Sequence, residues 1–462
     1  MIPVSAKRGR VGKGRLILFA SGDFGCNLYW QSLIFYVFFF YTEALGLPAG
    51  VAGLVYMAGS FWDGLADLIV GLRAQRLSEH DSYRRYVGWG AVPLGCAFVL
   101  LYAAPDLSLS LLVGLAFVTH LAFRTLYALV NIPYSAMTTR ISDDSRDRAT
   151  ISGLRMLFGT AAAIAVALAT PRIGRIVGGD AESAAGFLAT AILFALVATV
   201  ILILVATGVP ERTAPRTTAR HPLRDCARVL AANRAFVTLN LAMAAVVIGV
   251  TVLTKSILYY FTYVLGDAGG GSTALALMGF AGAVFVPLWM AVSRRLGSRG
   301  VWFASAGLAI VVLGLFAVLR PRDPIVVQAL LIAMQAPVIG VNFAFWALLP
   351  DTVELGEHRS GIRVEAMSYG VAALSQKLSL GLAAGLMGLI YTTIGYVPHA
   401  EQTPLAMAGM RWTMLLLPAA GFLLSVLVML ANPLRRGTHD AVVAELAAGR
   451  NPAAWREIGR SG

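Results

Sequence analysis

Long apolar runs separated by short polar connections fill the chain from residue 16 to residue 431. Most are about 20 residues or longer, enough for a helix to cross a hydrocarbon core of roughly 30 Å. The pattern predicts helices at 16–45, 48–74, 86–104, 108–139, 150–170 and 184–208. It predicts six more at 236–265, 272–293, 300–319, 324–349, 365–395 and 405–431. The stretch from Val209 to Arg234 is polar and basic, with Pro210, Pro215 and Pro222. The expected plan is an N-terminal six-helix bundle over 1–208, a central cytoplasmic loop over 209–235, a C-terminal bundle over 236–432 and a cytoplasmic tail over 433–462. Within the loop, Pro222 to Leu230 suits a short interfacial helix, with Arg224 and Arg228 at i,i+4 facing headgroups. A short helix is expected in the tail around Asp440 to Ala448.

The halves echo one another. The first helix ends Phe39-Phe40-Tyr41-Thr42-Glu43-Ala44-Leu45-Gly46, and the seventh ends Tyr259-Tyr260-Phe261-Thr262-Tyr263-Val264-Leu265-Gly266. Ile132-Pro133-Tyr134 and Leu349-Pro350-Asp351 close the fourth and tenth helices. An aromatic belt explains part of the first match. Two echoes at corresponding places favour a repeat, and parallel six-helix repeats characterise the major facilitator architecture. The expected fold class is an all-α membrane protein of twelve transmembrane helices.

Composition agrees: 58% of the residues are hydrophobic and 13% charged, and the mean hydropathy is +0.73. A soluble domain carries about twice that charged fraction. The net charge of +13 on a soluble chain would suggest nucleic acid. Here about 28 of the 37 Lys and Arg fall in the termini and alternate connections, such as Lys7, Arg8, Arg10, Lys13, Arg73, Arg76, Arg84 and Arg85. The opposite connections hold Arg172, Arg175, Arg320, Arg322 and Arg411. Positive residues stay inside, so both termini are expected in the cytoplasm and the membrane is a bacterial-type inner membrane. Cys26, Cys96 and Cys226 make neither a disulfide framework nor a metal site. The six histidines are read as mostly loop residues without metal-ligand spacing. No Gly-rich phosphate loop occurs, so ATP-driven pumping is not expected, and no cofactor, metal, catalytic residue or nucleic-acid partner is expected either.

Charges inside the bilayer each cost a few kcal/mol or more and need a reason. Asp63 and Asp67 stand at i,i+4 in the second helix, on one face. Two like charges so close resist joint ionisation unless a cation lies between them. That is the physics of a proton or small-cation site, although a salt-bridged gate is also compatible. Lys377 in the eleventh helix is the expected charge partner. Asp23, Asn27 and Trp30 line the first helix, and Arg124, Tyr127 and Asn131 the fourth; rings and amides suit a hydroxylated substrate. Amides also serve as interhelical glue. Arg155 is expected at an ion pair or inner gate, and Lys255 in a structural pair.

At these residues the chain resembles the glycoside–pentoside–hexuronide:cation symporters of the major facilitator superfamily, the family typified by melibiose permease. The resemblance rests on Gly22-Asp23-Phe24-Gly25 with Asn27, Trp62-Asp63 with Asp67, Asn131-Ile132-Pro133-Tyr134, Leu349-Pro350-Asp351-Thr352-Val353-Glu354 and Gln376-Lys377-Leu378. It implies that Asp63 and Asp67 bind the coupling cation and that Lys377 is their charged neighbour. It also places Asn27, Asn131 and Arg155 near the sugar cavity, with Trp346 on the tenth-helix wall; Gln376 joins this substrate set. Ala66 and Ala128 stand where melibiose permease has an amide and a hydroxyl that help bind sodium, which favours a proton over sodium. Its sugar-binding carboxylates on the first and fourth helices are the amides Asn27 and Asn131 here, and Leu68 and Gln75 depart from its usual Pro and Asp. The expected function is cation-coupled symport of a sugar, glycoside or uronide by a monomer in the lipid bilayer. Carriage of a lysolipid, proton-coupled export and a non-transporting receptor are the rivals.

Overall fold

The computed structural model describes residues 12–74, 82–141, 145–210, 223–362, 364–434 and Glu445. Lys7, Arg8, Arg10, Gln75, Arg76, residues 211–222 of the central connection and, but for Glu445, the tail helix expected near Asp440 lie outside them, as do the side chains of Arg73, Arg140, Arg146 and Arg148. Helices make up the fold, with no strand among the described residues. They are α1 (Lys13–Ser32), α2 (Ala49–Ala74), α3 (Tyr83–Leu101), α4 (Leu109–Ile141), α5 (Ser145–Gly178) and α6 (Ala184–Gly208). After these come α7 (Leu223–Ala232), α8 (Arg234–Tyr259), α9 (Gly270–Leu319), α10 (Pro324–Ser360), α11 (Glu365–Thr393) and α12 (Pro404–Leu430). Eight of the helical stretches among the described residues are long and apolar enough to cross a membrane. The chain divides into two compact units, Met1–Thr217 and Thr218–Gly462.

Apolar periodicity located the helices better than it located their ends. The tenth was expected to stop before Pro350, yet α10 runs on to Ser360 and is capped by Gly361 at φ 75°. The continuation is tied to the start of α8, where Asn233 Nδ2 donates to the Thr352 carbonyl at 2.7 Å. Likewise α5 begins before residue 150 and ends at Gly178. Hydropathy marks the part of a helix that lies in lipid, and a helix continues past that boundary wherever backbone and side chains permit. The expected eighth and ninth helices are the two limbs of α9, which break at Gly297.

The echo between the halves has a structural counterpart. α1 continues into π-helical turns at Leu33–Val37 and Phe40–Ala44, and α8 into one at Tyr260–Leu265. The last π turn of each closes alike: Leu47 N–H donates to the Tyr41 carbonyl and Asp267 N–H to the Phe261 carbonyl, both at 2.9 Å. The reversal falls on Gly46 and Gly266, at φ 66° and 71°, where a side chain would be strained. Helix α7 confirms the short helix expected after Pro222: Arg224 and Arg228 are exposed and Leu230 is buried.

In the first unit α1 packs on α5 and α6, α3 on α4 and α6, and α2 on α4; in the second α9 packs on α10, α8 on α11 and α12, and α12 on α9. On α6, Leu193, Leu196, Val200 and Leu204 are exposed while Phe194, Ala198, Leu202 and Val205 are buried. An apolar face left uncovered in this way suits lipid. Small residues bring helices together where lipid gives no hydrophobic drive between them. A Cβ on Gly249 of α8 would stand 2.7 Å from Pro418 Cα and 3.0 Å from the Leu417 carbonyl of α12. Those neighbours are backbone and cannot rotate away. Gly249→Leu is therefore expected to force α8 and α12 apart, costing about 1–3 kcal/mol or more. A thermal midpoint in detergent equal to that of the parent would contradict this contact.

Candidate functional site

The first unit gathers most of the polar residues singled out in the sequence. On α2, Tyr56, Ser60 and Asp63 follow at i, i+4 and i+7, on one face. On α4, His120, Arg124, Tyr127, Asn131, Tyr134 and Thr138 recur at steps of three and four and share a face. Trp62 fixes the approach of the two helices, its Nε1 donating to Thr125 Oγ1 at 2.8 Å.

Arg124 is at the centre. Its Nη1 donates to Asp63 Oδ2 at 2.9 Å, Nη2 to Ser60 Oγ at 3.3 Å and Nε to His120 Nε2 at 3.2 Å. The guanidinium carbon lies 5.4 Å from the Trp30 ring centre and 5.6 Å from that of Tyr56, within cation–π range. The pair is dry: Asp63 is 0% and Arg124 1% exposed. A guanidinium only donates, so His120 Nε2 is the bare acceptor nitrogen. The other nitrogen, Nδ1, faces the Tyr41 hydroxyl at 2.8 Å. Removing one member of such a buried pair leaves the other charge uncompensated, at a cost of about 3–5 kcal/mol.

A second cluster lies further along the α4 face. Arg155 of α5 pairs with Asp23 of α1: Nε bonds Oδ2, and Nη2 reaches Oδ1 at 3.3 Å. Its Nη1 donates to Thr138 Oγ1 at 2.9 Å. The Tyr134 hydroxyl lies 2.8 Å from the Phe19 carbonyl and 3.0 Å from Asp23 Oδ2. Closer to Arg124, Trp30 stacks on Tyr127 with ring centres 5.6 Å apart. Asn27 and Asn131 thus sit, each on its own helix, between two side-chain bridges that join α1 and α4. Both are half-buried. Asn27 Nδ2 donates to the Asp23 carbonyl at 2.9 Å, and its Oδ1 lies 3.5 Å from Gln31 Nε2.

Asp67, one turn beyond Asp63, is half-buried. Beside it Ala66, Val70 and Ala128 form a buried apolar cluster, with Leu129 and Ile132 packed against it. In the second unit Trp346 stacks on Tyr369 of α11 at 6.2 Å. Gln376 and Lys377 are half-buried on α11, and Lys255 is buried on α8.

Three features escaped the sequence reading. Arg124 was expected among substrate residues, whereas its guanidinium is bonded to Asp63. His120 was passed over as one of a scattered set, yet it is a fully buried α4 residue in this network; His358 is helical as well. The signal for His120 was its place one turn before Arg124. Tyr41 gave no such signal, because it belongs to a π turn whose register a 3.6-residue period does not describe.

Long apolar helices that bear buried charged and aromatic groups define an all-helical, multi-pass membrane protein. The chain shares its fold with the crystal structure of the nucleoside transporter NupG, with a TM-score of 0.64 at 15% identity, over 92% of this chain and all of that one. The model of the MFS/sugar transport protein family matches residues 18–436, so the chain belongs to that family, the one containing the glycoside–pentoside–hexuronide:cation symporters. It is 26% identical to the isoprimeverose transporter of Lactiplantibacillus pentosus, over 89% of this chain and 87% of that protein. To the glucuronide carrier protein homolog of Escherichia coli it is 24% identical, over 93% and 94%. The protein is a transporter and not an enzyme.

The Asp23–Arg155 pair provides a test of the second cluster. Asp23→Asn and Arg155→Gln should each destabilise the protein, with the double variant recovering about 0.5–3 kcal/mol relative to the sum. Chemical unfolding in detergent reads the cycle, and strictly additive losses would show that the two groups do not interact.

Proposed function

We propose that the protein is a proton-coupled symporter of a sugar, glycoside or uronide, working by alternating access in the inner membrane. The chain crosses twelve times in this reading: α1 to α6, α8, the two limbs of α9, and α10 to α12. The excess of Lys and Arg in alternate connections supports a cytoplasmic position for both termini, the 209–235 connection and the 433–462 tail. The six-helix bundles are 1–208 and 236–432, and the working unit is a monomer.

The observation that carries the coupling is the buried apolar cluster of Ala66, Val70 and Ala128, formed in part by the turn of α2 that bears Asp67. Sodium needs several oxygen ligands, whereas a proton needs only one carboxylate. Ala66 and Ala128 pack with Val70, and neither offers a side-chain oxygen. Protonation of a carboxylate survives that packing; sodium coordination from those positions does not. Asp63 and Asp67 are the cation-site carboxylates and Lys377 their charge partner. The substrate is a hydroxylated ring, with Trp30 and Tyr127 offering apolar faces and Asn27 and Asn131 offering amides. Asp23, Arg124 and Arg155 supply the surrounding charge, and Trp346 and Gln376 belong to the same set. The names of the isoprimeverose and glucuronide relatives support this substrate class.

The test is pH change in sodium-free, everted membrane vesicles given a panel of glycosides, pentoses, uronates and lysolipids, each added outside and preloaded. A sugar-type ligand is expected to drive a proton flux that Asp67→Asn lowers at least tenfold. Flux that requires added sodium would replace the proton by sodium. A response to lysolipids alone would overturn the substrate class.

A further inference from the structure

At one end of the second unit the arginines are of two kinds. Arg299 is committed to the fold: its Nη1 donates to the Asn432 and Leu434 carbonyls, both at 2.7 Å, and its Nη2 to the Met429 carbonyl at 2.9 Å. Arg224, Arg228, Arg234, Arg294 and Arg295 are exposed. Among the described residues none of these five has an ion pair or a guanidinium hydrogen bond.

Contacts within the unit bring the five to the same end. The junction of α7 and α8 is tied to α10 by the bond from Asn233 to the Thr352 carbonyl. Asn432, just past α12, donates to the Ala235 carbonyl at 3.0 Å and to Thr238 Oγ1 at 2.9 Å, and Leu434 packs with Ala235 and Leu355. Arg299, which holds those same residues, follows the break at Gly297 by two positions. The break in α9, with Arg294 and Arg295 before it, is therefore at the end where α8 starts.

Helix α7 turns its charged side outward. Arg224, Ala227, Arg228 and Ala231 share a face and are exposed, while Leu230 is buried and Cys226 and Val229 are half-buried. The apolar side is used on the protein, where α7 packs on α8 and α10. Among the described side chains of α7 no bulky apolar one is left exposed to enter the acyl chains. Side chains at i,i+4 stand about 5–6 Å apart, close enough for two guanidinium groups to share one phosphodiester. Of the carboxylates described at this end, Asp225, Asp351, Glu354 and Glu357 are half-buried. Glu445 meets His358 at 2.6 Å, and Glu365 is exposed at the start of α11. The outermost charge is positive.

We infer that α7, the start of α8 and the break in α9 form a docking surface for the headgroups of anionic phospholipid. The apolar span of α8 begins directly after α7, which puts these guanidinium groups at headgroup depth. The surface holds lipid by charge and not by insertion. A zwitterionic headgroup brings its own cation to the same place and is held less. This goes beyond the transport reading and is independent of the ion and the substrate carried.

Native mass spectrometry of the delipidated full chain, given equal amounts of phosphatidylglycerol and phosphatidylcholine, reads the preference. The parent should retain phosphatidylglycerol in excess, and Arg224→Gln/Arg228→Gln should lower that preference about tenfold or more. Arg224→Lys/Arg228→Lys should keep most of it. Arg172→Gln/Arg175→Gln, which removes the same charge from exposed positions of the first unit, should keep all of it. Hydrogen exchange in nanodiscs locates the contact: adding phosphatidylglycerol to phosphatidylcholine should slow the amides of α7 in the parent and not in Arg224→Gln/Arg228→Gln. Added sodium chloride should weaken both effects. A preference that survives Arg224→Gln/Arg228→Gln, or that Arg172→Gln/Arg175→Gln loses equally, would overturn the inference. Retention insensitive to salt would do so as well, since it would mean insertion. Displacement of the lipid by inorganic phosphate at equal concentration would reassign the surface to a soluble anion.

Discussion

An aspartate and an arginine, both sealed from water, make the first unit what it is. In an apolar interior neither charge is tolerable alone, and each becomes tolerable only through the other and through the bonds that use its remaining donors. That requirement propagates outward. Ser60 must stand one turn before Asp63 and His120 one turn before Arg124. Tyr41 must reach His120 from a different segment, and Trp30 and Tyr56 must lie against the guanidinium. The approach of α2 to α4, held by Trp62 and Thr125, arises from the same need.

Close helix contact supplies the rigidity that such a network requires. Gly59 sits where any side chain would collide with the His120 imidazole, and Gly22 where one would collide with the Tyr134 ring. The backbone can therefore come near enough for short polar side chains to meet. The π turns at the ends of α1 and α8 serve a related purpose. An extra residue in the turn rotates the rest of the helix about its axis, and in α1 this brings Tyr41 round to His120. The same turn recurs at the end of α8 with the same capping bond, a local likeness between the two units.

The two clusters on α4 divide the work physically. Asp63, Arg124 and His120 form a dry, hydrogen-bonded knot, whereas Asp23 and Arg155 are partly open, with side chains 14% and 24% exposed. Between them Asn27 and Asn131 keep polar groups in a zone flanked by rings. In the proposed substrate reading, neutral amides there would let a ligand's hydroxyls exchange for water at little electrostatic cost, with the charged groups held to either side.

Membrane character and helix positions were legible from the sequence, because both stem from the local cost of putting polar groups into lipid. So was the i,i+4 relation of Asp63 and Asp67, which helix geometry alone dictates. The repeat announced itself at Gly46 and Gly266, since a left-handed reversal restricts residue choice. Helix ends such as Ser360 were not legible, for hydropathy reports where lipid stops and not where hydrogen bonding does. The bond between Asp63 and Arg124, 61 residues apart, was not legible either, for charge alone pointed to Lys377 as the partner. Sequence periodicity places a side chain on a face of its own helix. Which face of which other helix it meets depends on how the helices pack, and that only the tertiary structure decides.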